Sequence, residues 1–366
     1  MPKTNTIPLF LFLLSAFLRF GMLPACAEWH TAQPGYQYTF PADHHSHPDF
    51  KTEWWYFTGN LSNPDTKQRF GYQLTFFRQG VRPPGQRQPA ASRFVTDHLA
   101  FAHFAITEID GQKFYHDQRI TRNAFDEAFF GPPGDPTLAR IEDWSLTLNP
   151  DESFTIKAAA TDFALDLHLT PTLPKIFHGK NGISPKSADP TNASHYFTHP
   201  RLRTEGTLTL SANTVPVTGN SWFDREWSTS ALTENQVGWD WFALQLDDGR
   251  NLMLFQVRRA DASPDHGSGT IIESDGTYTV LTPTDFSLTP TKFWKSPLTN
   301  AGYPVSWDLE VPSQNLTLTV NATLENQELT FPGIAYWEGA ITVSGSTEGK
   351  GYLEMTGYAE PVTGLR

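Results

Sequence analysis

A long internal echo constrains this chain more than any other feature. The run Trp54-Trp55-Tyr56-Phe57-Thr58-Gly59-Asn60-Leu61 returns as Trp239-Asp240-Trp241-Phe242-Ala243-Leu244-Gln245-Leu246, and each run leads into an apolar stretch that closes on arginine, Arg78 and Arg258. Further echoes follow in order. Residues 106–114, with an Asp110-Gly111 turn, match 272–278, with Asp275-Gly276, and 144–148 match 307–311. Glu205-Gly206-Thr207-Leu208 matches Glu338-Gly339-Ala340-Ile341, and Thr218-Gly219 matches Thr356-Gly357. Collinear repetition over most of a chain means two related domains. The 366 residues suit two domains of ordinary size. The echoes place one at 40–215 and the other at 216–366, with the hand-over between Leu210 and Trp222.

Residues 1–27 read as an export signal: Lys3 supplies the positive start, residues 8–18 the apolar core, and Ala25-Cys26-Ala27 an A-x-A-like cleavage site. Arg19 cuts the apolar run short of the roughly 20 residues a membrane helix needs. Cys26 is the only cysteine, so no intramolecular disulfide can form. Leu23-Pro24-Ala25-Cys26 also resembles a lipobox, so two readings stand: cleavage after Ala27, or lipidation of Cys26. Both place the protein outside the cytoplasm, in the periplasm or beyond, secreted or lipid-anchored in the envelope. A net charge of -12 without any Lys/Arg run argues against nucleic acid and generic anionic membranes as partners.

Strand signals dominate the remainder. Residues 70–76, 153–157, 206–210 and 316–320 alternate apolar and polar with period two, and Asp110-Gly111, Asp248-Gly249 and Asp275-Gly276 supply hairpin turns. No long stretch has a 3.6-residue period. Evenly spaced short strands with tight turns predict an all-β chain of barrels or sandwiches. Residues 82–92, 131–136 and 175–200 read as loops, the last long enough for a lid or an entrance element.

The differences between the copies point to chemistry. On a strand, Asp240, Phe242, Leu244 and Leu246 share one face, and Trp239, Trp241, Ala243 and Gln245 share the other. The matching face of the first copy, Trp55, Phe57, Gly59 and Leu61, carries no charge. An aspartate on such an apolar face would be desolvated and hold its proton near neutral pH. Upstream, Trp222, Asp224 and Glu226 share a face opposed by Arg225, beside Trp227. With Glu53 and Tyr336-Trp337-Glu338 they make a set of carboxylates among aromatic rings. The competing reading is structural: Asp224, Arg225 and Glu226 as an ion-pair network, and Trp54 and Trp55 as packing. No nucleophile elbow, zinc helix or phosphate loop is present. His44, His45 and His47 read as a solvated polar loop, with His195 and His199 on the long loop equally weak. No metal or cofactor is expected.

The wording around residues 47–61, Asp224-Arg225-Glu226-Trp227 and Gly238-Trp239-Asp240-Trp241-Phe242 resembles the AttH/CrtC-like family, over nearly all of the chain after the signal. That family holds secreted AttH-type "predicted hydrolases" and the carotenoid hydratases. The resemblance implies two tandem lipocalin-like antiparallel β-barrels. It also implies Asp240 as counterpart of an aspartate thought to protonate an isoprenoid double bond, with Asp224 taking the leaving proton. Trp55, Trp222, Glu226, Trp227, Trp239, Trp241, Tyr336 and Trp337 are then the expected ligand contacts, and indole faces could stabilise the cation. The resulting expectation is an exported protein that encloses a hydrophobic isoprenoid or lipid-like molecule and hydrates a C=C bond, a hydro-lyase chemistry. Its rivals are a non-enzymatic carrier or chaperone of lipidic cargo, working with an envelope ABC-type export system, and a secreted hydrolase of unknown type.

Overall fold

The computed structural model describes residues 28–87, 95–122, 126–230 and 232–363; residues 1–27, read above as an export signal and including Cys26, lie outside them. Among these residues the chain is strands joined by turns and loops, and the only helices are three single 3₁₀ turns, at Ala42–His44, Pro84–Gln86 and Pro312–Gln314. The strands form two curled antiparallel sheets, of 13 and 10 strands, each a lipocalin-like barrel. The copies share one plan. Thr52–Ser62 lies between Arg69–Gly80 and Asn213–Ser228, the last strand of its sheet. Gln236–Leu246 likewise lies between Asn251–Arg259 and its own closing strand, Gly349–Met355.

Four sequence expectations need correction. Asn213–Ser228 pairs along its whole length with Ala193–Leu210 and with Thr52–Ser62, so the first barrel runs to Ser228 and not to residue 215. A tight hairpin at Ser211-Ala212, both in the left-handed region (φ 47° and 70°), joins the two strands without the glycine or asparagine that usually marks such a turn. Secondly, the C-terminal echoes shift register. Gly206 lies over the Asp166 carbonyl and Gly345 over that of Thr317, both at positive φ (151° and 125°), so Gly206 matches Gly345 rather than Gly339. Thirdly, the long loop is partly sheet: Ala193–Leu210 is a strand that buries His195 and His199. Finally, His44 and His45 are buried, and His44 stacks on His199 at 5.6 Å inside the first barrel. A segment read as solvated loop instead packs across that barrel.

Strand alternation sorts each repeat onto two faces. Trp55, Phe57 and Leu61 enter the first barrel's core with Phe104, Phe154 and Phe223, while Phe242, Leu244 and Leu246 enter the second with Trp307 and Leu353. Each such side chain contributes about 1.5–3 kcal/mol by leaving water. The opposite faces meet each other: Tyr56, Trp222, Trp241, Ala243 and Tyr352 form one apolar cluster between the barrels. Close approach there needs Gly71, where a Cβ would sit 2.6 Å from that of Ala340.

Hydrogen bonds across this interface are reciprocal. Asn60 Nδ2 donates to Gly351 O at 3.1 Å, and Gln245 Nε2 donates to Ser221 O at 3.0 Å. Asn60 and Gln245 are matched repeat positions. Ser221 is the partner of Gly59, and Gly351 that of its match Leu244. The barrels therefore meet about a pseudo-two-fold axis, as isologous surfaces do in symmetric dimers.

Candidate functional site: an acidic cavity between the barrels

Near this axis the two outer faces separate around a cavity of about 500 Å³, within the usual range for a small-molecule site. Trp54, Tyr56, Tyr196, Trp239, Trp241 and Tyr336 line it, and Phe77 and Phe101 stack at 4.5 Å along one side. Among these rings stand Asp224 and Glu226 from the first barrel and Glu338 and Glu354 from the second. Backbone register explains the pairing. Tyr56 and Trp241 are matched repeat positions, and the residues directly opposite them on the closing strands are Asp224 and Glu354. Glu338 is in turn the cross-strand partner of Glu354. The repeat thus places one carboxyl from each barrel at equivalent points and adds a second acid on one side.

Each acid has a distinct setting. Asp224 Oδ1 accepts from Trp222 Nε1 at 2.7 Å and Oδ2 from Tyr196 Oη at 2.6 Å, while Tyr196 Oη also accepts from Trp241 Nε1 at 3.1 Å. Burial outweighs those bonds and pushes the Asp224 carboxyl up to about 7. Glu354 Oε2 accepts from Trp239 Nε1 at 3.1 Å, and burial pushes Glu354 to about 7 as well, helped by the charges of Asp224 and Glu226. Glu338 is 1% exposed; the Tyr56 and Tyr336 phenols lie against its carboxyl, and its Oε1 makes no well-formed hydrogen bond. Burial and then the neighbouring Glu354 hold its carboxyl well above the ordinary value. Glu226 differs, being bound by Ser194 Oγ and by Lys186 Nζ at 2.8 Å. His103, hydrogen-bonded to Tyr336 Oη at 2.7 Å, is pushed down to about 3 by burial and stays neutral.

The structure separates the expected site residues into two groups. Asp224, Glu226, Trp239, Trp241 and Tyr336 line the cavity, and Trp222 holds Asp224 from behind. Asp240 does not. It points into the second barrel, fully buried, with Arg258 Nε at 2.9 Å, Gln256 Nε2 at 2.9 Å and Tyr358 Oη at 2.9 Å. Burial lifts its carboxyl above the ordinary value and the Arg258 charge offsets part of that. Clamped by a guanidinium outside the cavity, it cannot reach a ligand there. Trp55 points into the first barrel, donating to His44 O at 2.7 Å. Trp227 stacks on His47 at 3.7 Å, and Trp337 belongs to the second core. These three pack in the barrels, which for Trp55 is what the competing reading had.

Several lining residues escaped the sequence. Trp54 was read as packing, Tyr196 lay in a presumed loop, and Glu354 stood on no singled-out motif. Glu354 could have been found by carrying the repeat through to its closing strand, since it is the positional match of Asp224. The ion-pair network expected among Asp224, Arg225 and Glu226 does not form: Arg225 turns away from both acids into the first barrel, and Glu226 pairs with Lys186. There Arg225 and Arg78 both bind Glu53. Burial opposes ionisation of Glu53, and the two guanidiniums outweigh it and hold the carboxyl well below its usual range. Among the described residues no group of three or more ligating side chains could hold a metal ion.

Two lipocalin-like barrels closing on a buried acidic cavity define a class of protein, and comparison with known proteins places the chain within it. The AttH-like family model matches residues 31–358, so the chain belongs to that family. A solved AttH structure from Nitrosomonas europaea is 35% identical, covers 90% of this chain and 99% of its own, and superposes with a TM-score of 0.81. Kievitone hydratase from Nectria haematococca shares the fold at a TM-score of 0.68, with 15% identity over 92% of this chain and 97% of the other. Among curated relatives, the dehydratase asqC of Emericella nidulans is 24% identical over 221 residues, 55% of this chain. The ceramide-binding protein svf1 of Aspergillus fumigatus is 38% identical over 84 residues, 22% of this chain. The matches span 60% and 21% of those relatives' own lengths.

Proposed function

We propose that the interbarrel cavity adds water to, or removes it from, a carbon–carbon bond of a hydrophobic small molecule by acid–base catalysis. The observation that carries this reading is the trio Asp224, Glu338 and Glu354, set in an aromatic cavity where each carboxyl keeps its proton far above the ordinary range. Glu338 and Glu354 are adjacent and titrate as a pair, so one of them remains a carboxylic acid near neutral pH. That acid protonates an alkene carbon. The cation formed faces the indoles of Trp54 and Trp239 and the phenol of Tyr336, an attraction of about 2 kcal/mol when desolvated. Water adds to the cation and its proton passes to Asp224, whose anion is held ready by Trp222 and Tyr196. Dehydration runs the same steps backwards. The hydratase and dehydratase named among the relatives carry out reactions of this type.

Incubation with prenylated phenols and isoprenoid alkenes in H₂¹⁸O tests the reading. One substrate should gain a labelled hydroxyl, and the label should be lost in Asp224→Asn and in Glu354→Gln. Undiminished labelling in both variants would overturn it.

The second reading is a carrier of lipidic cargo, favoured by the partial match to a ceramide-binding protein. Native-envelope protein would then release a homogeneous lipid on extraction and leave it chemically unchanged. In either case export by residues 1–27, anchoring through Cys26 and partnership with an envelope ABC-type system belong to the proposal. Mass spectrometry of the mature N-terminus discriminates a lipidated Cys26 from plain cleavage.

A further inference from the structure

The same cavity carries a second message, about the charge of what enters it. Five of its lining residues are acidic, Asp224, Glu226, Glu338, Glu354 and Glu360, against one ammonium, Lys186. Lys186 is already paired with Glu226 at 2.8 Å and sits over the Phe255 ring at 4.4 Å, so it offers an anion little. In the wall, Glu338 Oε1 and Tyr56 Oη are buried without a well-formed hydrogen bond, their closest polar interaction being the one between the Tyr56 phenol and the Glu338 carboxyl. Around them stand the rings of Trp54, Trp239, Trp241 and Tyr336, whose faces attract positive charge.

We propose that this cavity binds an amphiphilic monocation, an ammonium or comparable onium head on an apolar ring or chain, with the head beside Glu338 and Glu354 and the body against Trp54 and Trp239. A neutral molecule of the same shape gains the burial but leaves the acids facing nothing of opposite sign. An anionic one meets the carboxyls of Glu338 and Glu354 and the electron-rich ring faces.

The inference rests on the catalytic reading in one respect, because a stable onium mimics the cation formed when the alkene is protonated. It differs from that reading in what it predicts at equilibrium. An onium head favours the ionised form of the neighbouring acids, so binding drives a proton off them and strengthens as pH rises through neutrality. A neutral ligand has no such linkage.

The test uses the full folded chain, with tryptophan fluorescence and titration calorimetry in buffers of different ionisation enthalpy. The probes are 2-naphthyltrimethylammonium, its neutral carbon isostere 2-tert-butylnaphthalene, and 2-naphthoate. At pH 8 the ammonium should bind at least about tenfold more tightly than the isostere, with proton release, and naphthoate should bind most weakly. At pH 5.5 the advantage should fall to within about threefold. Glu338→Gln and Glu354→Gln should each erode the ammonium's advantage while leaving the isostere's affinity in place, which also shows that the variants are folded. Equal binding of cation and isostere at pH 8, no proton release, or no binding of any probe would overturn the proposal. Because the readout is binding, a failure here leaves the ¹⁸O experiment to decide the catalytic reading on its own.

Discussion

Trp55 and Asp240 are matched positions in the two repeats, and so are Tyr56 and Trp241, yet only the second pair faces the cavity. The first pair points into the barrels, where an indole in one copy becomes a carboxylate in the other, beside Arg258. The second pair stays aromatic in both, and the novelty sits opposite it, on the closing strands, as Asp224 and Glu354. A change of residue type between repeats is therefore informative only once its face is known. Inside a barrel it signals a rearranged structural charge; between barrels it signals chemistry. The quickest way to break this distinction is to remove each acid in turn. Asp224→Asn and Glu354→Gln should lower turnover of a hydrated substrate by about 10²–10⁴-fold. Asp240→Asn should leave turnover within about threefold while lowering the denaturation midpoint. Loss of turnover in Asp240→Asn with unchanged stability would put the chemistry back inside the second barrel.

The structural charges differ in redundancy, which gives the next largest effect. Asp240 depends on a single guanidinium, whereas Glu53 has both Arg78 and Arg225. Removing one partner of a buried pair costs about 3–5 kcal/mol because the other charge is stranded. Arg258→Met should reach that range in urea unfolding. Arg78→Met should cost less, since Arg225 still neutralises Glu53. Equal losses would mean that the second arginine adds nothing.

The barrels also differ in how they meet acid. The first encloses His44 and His199, neither hydrogen-bonded through its ring, and burial pushes His199 down to about 3. The second copy has only one histidine beyond residue 235, His266, which is half-buried. A buried histidine whose folded-state pKa is depressed supplies stability above its unfolded value of about 6.5, lost as pH falls towards the folded value. His199→Phe should therefore flatten the acid limb of the stability curve by about 2 kcal/mol at pH 5. The cavity acids act with the opposite sign. Their raised carboxyls favour the fold fully below about pH 4, and that contribution is lost as pH rises from there to about 7, so Glu354→Gln should flatten the decline across that window. A His199→Phe curve parallel to that of the parent would show that His199 is not protonated on unfolding.

Much of this architecture was legible beforehand. The echo of Trp54-Trp55-Tyr56 in Trp239-Asp240-Trp241 located the two matched opening strands, and period two sorted their faces correctly, including Trp222, Asp224 and Glu226 on one side and Arg225 on the other. What alternation cannot say is which face is the inside of a barrel and which is a contact between barrels, because both are apolar. Asp240 was assigned to a cavity on that ambiguity and on its place in the Trp-Asp-Trp motif. Glu354 and Tyr196 were missed for a different reason: each becomes part of the site through cross-strand register, and register is set by hairpins such as Ser211-Ala212 whose residues carry no turn signature. The match of Gly206 with Gly339 instead of Gly345, six residues away, came from similar short words that only the sheet register tells apart.

The smallest effect tests the pseudo-symmetry itself. If the interface is isologous, Asn60 to Gly351 O and Gln245 to Ser221 O are the same interaction made twice, and each should be worth about 1 kcal/mol. Asn60→Leu and Gln245→Leu each strand a carbonyl of the opposite barrel, though Gln245 also donates to Pro200 O at 2.8 Å and should cost the more of the two. The bonds are separate contacts in a rigid apolar seam, so the double variant should lose the sum of the singles within about 0.5 kcal/mol. A loss well short of the sum would mean that breaking either bond already lets the barrels part. The cavity would then be a gap held open or shut by these amides, and its volume a property of the seam rather than of the lining side chains.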